Sequence, residues 1–495
     1  MKKKQFLILL LSVSIIFTGL VSCAPNNNNE KGEFDDEILD SVPEDYTLNG
    51  NKVGIFYVSW LDKDVQGDEE ATDLVYSKIH QRNLIVETRL DCDFVYIPSD
   101  AVGGDDWRDA AGEIRQAVQQ LDKSFEITIA SSNVIIDQKL TSLYHNFNDS
   151  AYVNIDEEWW FTDSIMELSV DNYYYRFLSG DIIFSCLGSA GCIFYNKDLY
   201  SEYINPGNPD ALYSHVFDGT WTLEQFDIEC SKSFIDMGGE NNIYAFALWR
   251  AGEPIHYFAN AAGVEYYKRD QSGLPYITLY NQHSVDFTQK LYNLIHANKG
   301  VTPYFGLNDD GRASFTDRKT MFAPASLSYI LNDGMREMED NFGILPYPKW
   351  DTQQEEYINF AANHSPIIGV TKNVSYDRAM EETSAVLEVM AAEGYRHIKD
   401  AFYEQACKRA YSRDDTSVEM LDIITGRHET IKSKLIKNFL YEYASYCDMI
   451  GHIFTLIMHD GPTGNPSFTS KWEAREENAI IGLQELITDY IRESN

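Results

Sequence analysis

Two pairs of side chains in this 495-residue chain have the types and spacing of a binding surface: Trp60 with Asp62, and Trp249 with Arg250. An indole presents a flat apolar face to the C–H surface of a polyhydroxylated ligand, and a nearby charged side chain bonds its hydroxyls; a pocket needs only a few such polar groups. Ser131 with Ser132, and Ser185 with Ser189, add short hydroxyls. Each of these residues follows or flanks a predicted strand, and parallel sheets hold ligands at the carboxyl ends of their strands. The plainer reading of each tryptophan is a cap on its own hydrophobic core. Trp221, beside Phe226 at a helix start, and the pair Trp159-Trp160 are read as packing, while Trp350 falls on a loop.

Catalytic signatures are scarce. No HExxH, GxxxxGK[ST] or GxGxxG occurs, and Ser189 lacks the nucleophile-elbow glycine because position 187 is Leu. Asn308, Asp310 and Gly311 share the spacing of a calcium loop, but its first ligand position would be Gly306, which has no side chain to offer. The six cysteines after Cys23 form no CxxC pair and no Cys/His cluster with zinc spacing. They read mostly as buried free thiols, with Cys186 and Cys192 close enough in sequence to pair across a hairpin. No metal and no cofactor is expected. Carboxylates are so numerous that a glycosidase acid/base pair is not excluded by counting. Of the histidines, only His364 falls near a proposed crossing between lobes.

The elements that must position these residues alternate. Residues 53–60 read as a buried strand, followed by a helix carrying Ala71, Leu74, Val75 and Ile79. Strands at 94–97 and 127–130 flank a helix carrying Trp107, Ala111, Ile114 and Val118, and 134–144 reads as helix. This alternation predicts βαβ units and a mainly parallel sheet. Residues 182–185 and 191–197 read as one extended segment with a small-residue bend. A second α/β region follows, with Thr222 capping a helix, a strand at 244–249, a helix over 285–296, and strands at 342–346 and 367–370. From Asp377 the chain reads as almost wholly helical.

The first residues form a leader. Lys2, Lys3 and Lys4 precede an apolar run over 6–17, too short to span a membrane, which takes roughly 18 or more such residues. Leu20-Val21-Ser22-Cys23 resembles a bacterial lipobox, with Cys23 as the lipidated residue, and Asn26 to Asn29 open a flexible tether. The formal net charge is −37; loss of residues 1–22 removes three lysines and leaves 37 basic against 77 acidic residues, a net −40. That surface argues against nucleic acid and anionic headgroups as ligands.

Four stretches carry a family resemblance: Phe194-Tyr195-Asn196-Lys197-Asp198-Leu199; Gly219-Thr220-Trp221-Thr222-Leu223-Glu224-Gln225-Phe226; Asn341-Phe342-Gly343-Ile344-Leu345-Pro346-Tyr347-Pro348-Lys349; and Arg413-Asp414-Asp415 with Glu419-Met420-Leu421-Asp422-Ile423-Ile424. In this order they resemble the extracellular solute-binding proteins of bacterial ABC importers, in the sugar-binding group that includes maltose-binding protein. The resemblance covers most of 52–495. It implies an α/β, two-lobed, periplasmic-binding-protein-like (type II) fold with hinge crossings near 187–189, 361–364 and 407–414. The implied organisation is a signal peptide at 1–22 and a tether at 23–51. The first lobe is then 52–187 plus 369–408, and the second 188–368 plus 409–495. The aspartate-isoleucine-isoleucine stretch lacks the family's usual continuation over 425–449, so no ligand contact is carried over from it. The implied function is capture of a mono- or oligosaccharide by a monomeric, lipid-anchored protein on the outer face of the membrane, and delivery to ABC permease subunits. A secreted glycoside hydrolase and a co-receptor for a membrane sensor are the alternatives.

Overall fold

In a computed structural model of the chain, the described residues are 40–71, 73–99, 107–136, 138–171, 173–247, 253–302, 312–362, 365–409, 415–444, 447–461, 464 and 466–493. The leader, the lipobox with Cys23 and the calcium-loop-like stretch lie outside them. So do Trp249, Arg250 and His364.

Along the first half, β1 (Asn51–Tyr57) is followed by α1 (Asp62–Gln66), α2 (Leu74–Leu90), β2 (Cys92–Pro98), α3 (Trp107–Gln120), β3 (Ile127–Ser131) and α4 (Ser132–Ile135). Asp73 starts α2 by accepting from the Val75 amide. Then come α5 (Thr162–Leu168), α6 (Phe184–Gly188), β4 (Gly191–Asn196) and α7 (Leu223–Lys232), the last capped by Thr222 as the sequence predicts. Further on lie β5 (Phe246–Ala247), α8 (Glu253–Ala261), β6 (Tyr267–Arg269), β7 (Pro275–Ile277), α9 (Gln282–His296), β8 (Val301–Thr302), β9 (Phe322–Ser326), α10 (Asp333–Glu337), β10 (Phe342–Leu345), β11 (Tyr357–Phe360) and β12 (Pro366–Val370). The C-terminal part holds α11 (Ser384–Gly394), α12 (Asp400–Arg409), α13 (Asp415–Thr425), β13 (Ser433–Ile436), α14 (Ile453–His459), α15 (Phe468–Glu473) and α16 (Glu476–Glu493).

Two sheets organise the body. The first has the order β12-β3-β1-β2, with β1 parallel to β2 and β3, and β12 antiparallel to β3. The second has the order β10-β4-β9 and is antiparallel throughout. The expected mainly parallel sheet is therefore realised only in the first. Among the described residues, no helix is long and apolar enough to cross a membrane.

The structure corrects several local expectations. The folded body begins by residue 40, not at 52: Val42 and Leu48 are buried, Leu48 N–H bonds Leu90 O at 2.7 Å, and Asp40 pairs with Arg89. The helix expected over 134–144 stops at Ile135; Lys139 adopts a left-handed φ of 58°, which ends any continuation. The strand expected over 182–185 is absent: Phe184–Gly188 form a short helix, and Asp64 supplies an acceptor for the Ser185 amide in its first turn. The helical remainder is interrupted by β13, which pairs in parallel with β11. Trp221 is buried, as expected, and its indole N–H donates to Pro346 O at 2.8 Å. Trp159 and Trp160 are also buried and donate from both indoles to Glu388 of α11. Trp350 is half-buried, in edge contact with His283 and under Lys290. Cys92, Cys186, Cys192, Cys230 and Cys447 are buried free thiols, so Cys186 and Cys192 do not pair.

Candidate functional site

The chain passes from the first sheet to the second at 184–190, and Ala361 follows β11 on the side from which the chain comes back to β12. The two passages lie side by side, bridged at Ala190 and Ala361. Close packing fixes the first one: a Cβ on Gly191 would fall 2.2 Å from the Tyr257 ring, so only glycine fits there, and the Tyr257 hydroxyl donates to Ser189 O at 3.1 Å. Gly191, just after the first passage, pairs with Ser326 at the end of β9, while Ser131 at the carboxyl edge of the first sheet pairs with Pro366.

Trp60 and Ser131 lie on that first edge. Trp60 follows β1 and is 52% exposed, an unusual state for an indole and one that leaves its ring available. Ser131 ends β3, pairs in register with Pro366 and donates its hydroxyl to Asn133 Oδ1. Ser132 is buried in α4. Asp62 accepts from the Tyr57 hydroxyl at 2.7 Å and from Gln66 Nε2 at 2.8 Å. Burial, and then the adjacent Asp62 carboxylate, keep the Tyr57 hydroxyl protonated. Ser185 is tied to Asp64 through its amide, at 3.1 Å, and its hydroxyl. Ser189 is buried and donates back to Cys186 O at 3.3 Å, so its hydroxyl serves the passage itself.

Sequence reasoning missed Asp64, Ser99, Ser326 and Ser328. Burial pushes the Asp64 carboxyl up to about 6, against the pull of its two bonds from Ser185. Ser99 is buried at the end of β2 and its hydroxyl accepts from the Ser59 amide at 3.3 Å. Ser326, at the end of β9, shares a 3.1 Å hydrogen bond with Ser328, whose Cβ lies against Gly188. The only signal for Asp64 was its place two residues beyond Asp62. For the two serines there was none, because Pro324 hides the strand that delivers them.

A salt bridge also joins the two sides. Asp73, at the start of α2, pairs with Arg336 of α10 and accepts from Gln405 Nε2 of α12 at 3.1 Å. Beyond the β12 edge lies a cavity of about 560 Å³, walled by Trp160, Phe161, Tyr395, Arg427 and Leu435 among others. A second, of about 500 Å³, lies beside β13 and is walled by Glu167, Tyr267, Arg269 and Lys437 among others. Neither cavity contains a residue expected from the sequence. The described residues hold no group of side chains able to ligate a metal ion.

No family model matches the sequence, and no curated protein matches it. The fold does match solved structures. The cyclic alpha-maltosyl-1,6-maltose binding protein of Arthrobacter globiformis aligns over 88% of this chain and 99% of its own, with a TM-score of 0.54 and 12% identity. RafE from Streptococcus pneumoniae, in its apo form, aligns over 86% and 97%, with a TM-score of 0.52 and 10% identity. UgpB from Mycobacterium tuberculosis, in complex with glycerophosphocholine, aligns over 87% and 98%, with a TM-score of 0.52 and 14% identity. The chain thus has the mixed α/β, two-lobed fold of the periplasmic-binding-protein-like solute-binding proteins. At these identities the likeness defines the fold, and the ligands named are those of the neighbours.

Proposed function

We propose that this protein is the solute-binding component of an ABC importer, capturing a carbohydrate between two lobes and delivering it to a membrane permease. The observation that supports the reading is the bridge between Ala190 and Ala361, with Ser131 paired to Pro366 on the first sheet and Ser326 paired to Gly191 on the second. An exposed indole among short hydroxyls suits a polyhydroxylated solute. The neighbour named as a cyclic alpha-maltosyl-1,6-maltose binding protein, and the Listeria monocytogenes neighbour in complex with cycloalternan, support a carbohydrate as ligand.

In this reading the first lobe is 52–187 with 369–408, extended back to residue 40 where the fold begins, and the second is 188–368 with 409–495. Keeping β12 whole moves the boundary to Pro366. Trp60, Asp62, Ser131 and Ser185 face or brace the cleft from the first side. Trp249 and Arg250, which come soon after β5 in the sequence, are the candidates that the sequence offers for the second. Ligand contacts to both lobes shift the population towards closure. No bond is made or broken, and no cofactor takes part. Cys23 carries the lipid that holds the monomer on the outer face of the membrane.

A thermal-shift screen against mono- and oligosaccharides, amino acids and short peptides tests this. A solute at 100 times its Kd adds about 2.7 kcal/mol of stability. A sugar that stabilises the protein and is recovered unchanged is the expected result; a sugar that is consumed, or stabilisation by peptides alone, overturns the assignment.

A further inference from the structure

The end of α5 with residues 169–171, and residues 173–176, precede Leu178, which pairs through both its amide and its carbonyl with Ile368 of β12 and leads into the first passage. The stretch is anchored on the side of the first sheet. Tyr175 O accepts from the Phe147 amide at 3.0 Å, and Arg176 Nη1 donates to Thr141 O at 2.9 Å.

Three arms reach the same stretch from elements packed around the second sheet. The first is the β6–β7 hairpin, which follows α8, a helix packed on β9 and β11. From it, Arg269 forks over the end of α5, donating to Val170 O at 2.8 Å, Ser169 O at 2.5 Å and Met166 O at 3.3 Å. Carbonyls at a helix end lack intrahelical partners and carry the negative pole, so a guanidinium fork fits them in both hydrogen bonding and charge. Tyr267 beside it bonds Glu167. The second arm is Tyr443, whose hydroxyl donates to Leu168 O at 3.1 Å. The third is α16. Its predecessor α15 packs on α9 and α14, where the Tyr280 ring stacks on Trp472 at 5.9 Å. The 18 residues of α16 then run back towards the first sheet. There Tyr490 donates to Tyr174 O at 2.7 Å, with its ring 4.7 Å from the Arg176 guanidinium.

We propose that residues 166–171 and 173–176 form a socket that couples the two lobes beside the first passage, with Arg269 and Tyr490 setting how far the lobes separate. Any opening that carries the second sheet away must either break these contacts or drag the stretch with it. Because the stretch leads directly to the Leu178–Ile368 pairing, such a pull reaches the first passage. The proposal rests on the reading of two moving lobes, but its test needs no ligand.

Spin labels at Lys123→Cys and Asp333→Cys, both exposed, report the distance between the sides, and the described native thiols are buried. The parent protein is expected to show one narrow distance population. Arg269→Ala and Tyr490→Ala are expected to add a longer one while each variant keeps a cooperative thermal transition. An unchanged distance distribution in the folded variants overturns the proposal. Tyr490→Phe removes a single hydroxyl and keeps the ring, so it folds even if Arg269→Ala does not. It is expected to shift the population in the same direction by a smaller amount, and no shift there also overturns the proposal. If the screen finds no sugar yet the distances respond, the coupling stands and only the carbohydrate assignment falls.

Discussion

The carboxylate of Asp64 accepts both the amide proton and the hydroxyl proton of Ser185, 121 residues further along the chain. Asp64 lies four residues past Trp60, and Ser185 lies in the first turn of α6, so one buried carboxylate joins the exposed indole's segment to the first passage. Asp64→Ala leaves a helix-start amide without its acceptor. It is expected to cost about 1–3 kcal/mol in denaturant unfolding, with Asp64→Asn costing less because it keeps one acceptor oxygen. Equal losses for the two variants would contradict this role.

Trp60 and Trp221 separate binding from packing. Trp60→Ala is expected to change stability by less than about 0.5 kcal/mol, since the ring is half exposed, while weakening solute binding by about tenfold or more, equivalent to roughly 1.4 kcal/mol. Trp221→Ala empties a buried site and is expected to cost about 3–5 kcal/mol. Calorimetric titration and chemical unfolding of the two variants check both statements.

Glu388 gives the fold a pH dependence of definite sign. Burial pushes its carboxyl up to about 7, although three donors pull it down, the Trp160 indole first, then the Asn154 amide and the Trp159 indole. The folded state therefore holds a proton that the unfolded state releases between about pH 4.5 and pH 7. Relative to Glu388→Gln, the parent protein is expected to lose stability as pH rises through that window, by up to about 3 kcal/mol. Urea melts of both proteins across the window measure it; a constant difference would show that Glu388 does not titrate on unfolding.

His256 and His452 act in the opposite direction. Their rings pack 4.8 Å apart between α8 and the start of α14. Burial drives His256 well below the usual imidazole value, with the neighbouring His452 and His459 adding to the effect, and lowers His452 to about 4. Both stay neutral in the folded state, while the unfolded chain takes up protons below about pH 6.5. Stability from this pair is present above that value and is lost as pH falls towards 4. His452→Phe is expected to move the acid unfolding midpoint to lower pH; a midpoint that stays in place contradicts the assignment.

Elements with strong local periodicity were legible in the sequence: β1, β2, β3, α2, α3, α9 and the Thr222 cap all appear where the residues put them. What was not legible depends on distant partners. Residues 182–185 look like a strand by composition, yet Phe184 and Ser185 open a helix whose Ser185 amide is accepted by the distant Asp64. β9 carries Pro324, and β13 is the short, half-polar Ser-Lys-Leu-Ile whose strand character comes from pairing with β11. Around the site, Trp60 and Ser131 could be placed because a strand end precedes each of them. Ser326 and Ser328 could not, because their strand was hidden. Residues 40–51 read as tether from their acidic composition, yet Arg89 and Leu90 hold them against α2.

The central claim is that a solute closes two lobes about the paired passages without being changed. Small-angle X-ray scattering of the protein with and without the solute that stabilises it most, followed by recovery of that solute, tests this most directly. Binding is expected to shrink the radius of gyration, dialysis to restore it, and the sugar to be returned intact. An unchanged radius at saturation, or a hydrolysed sugar, would contradict it.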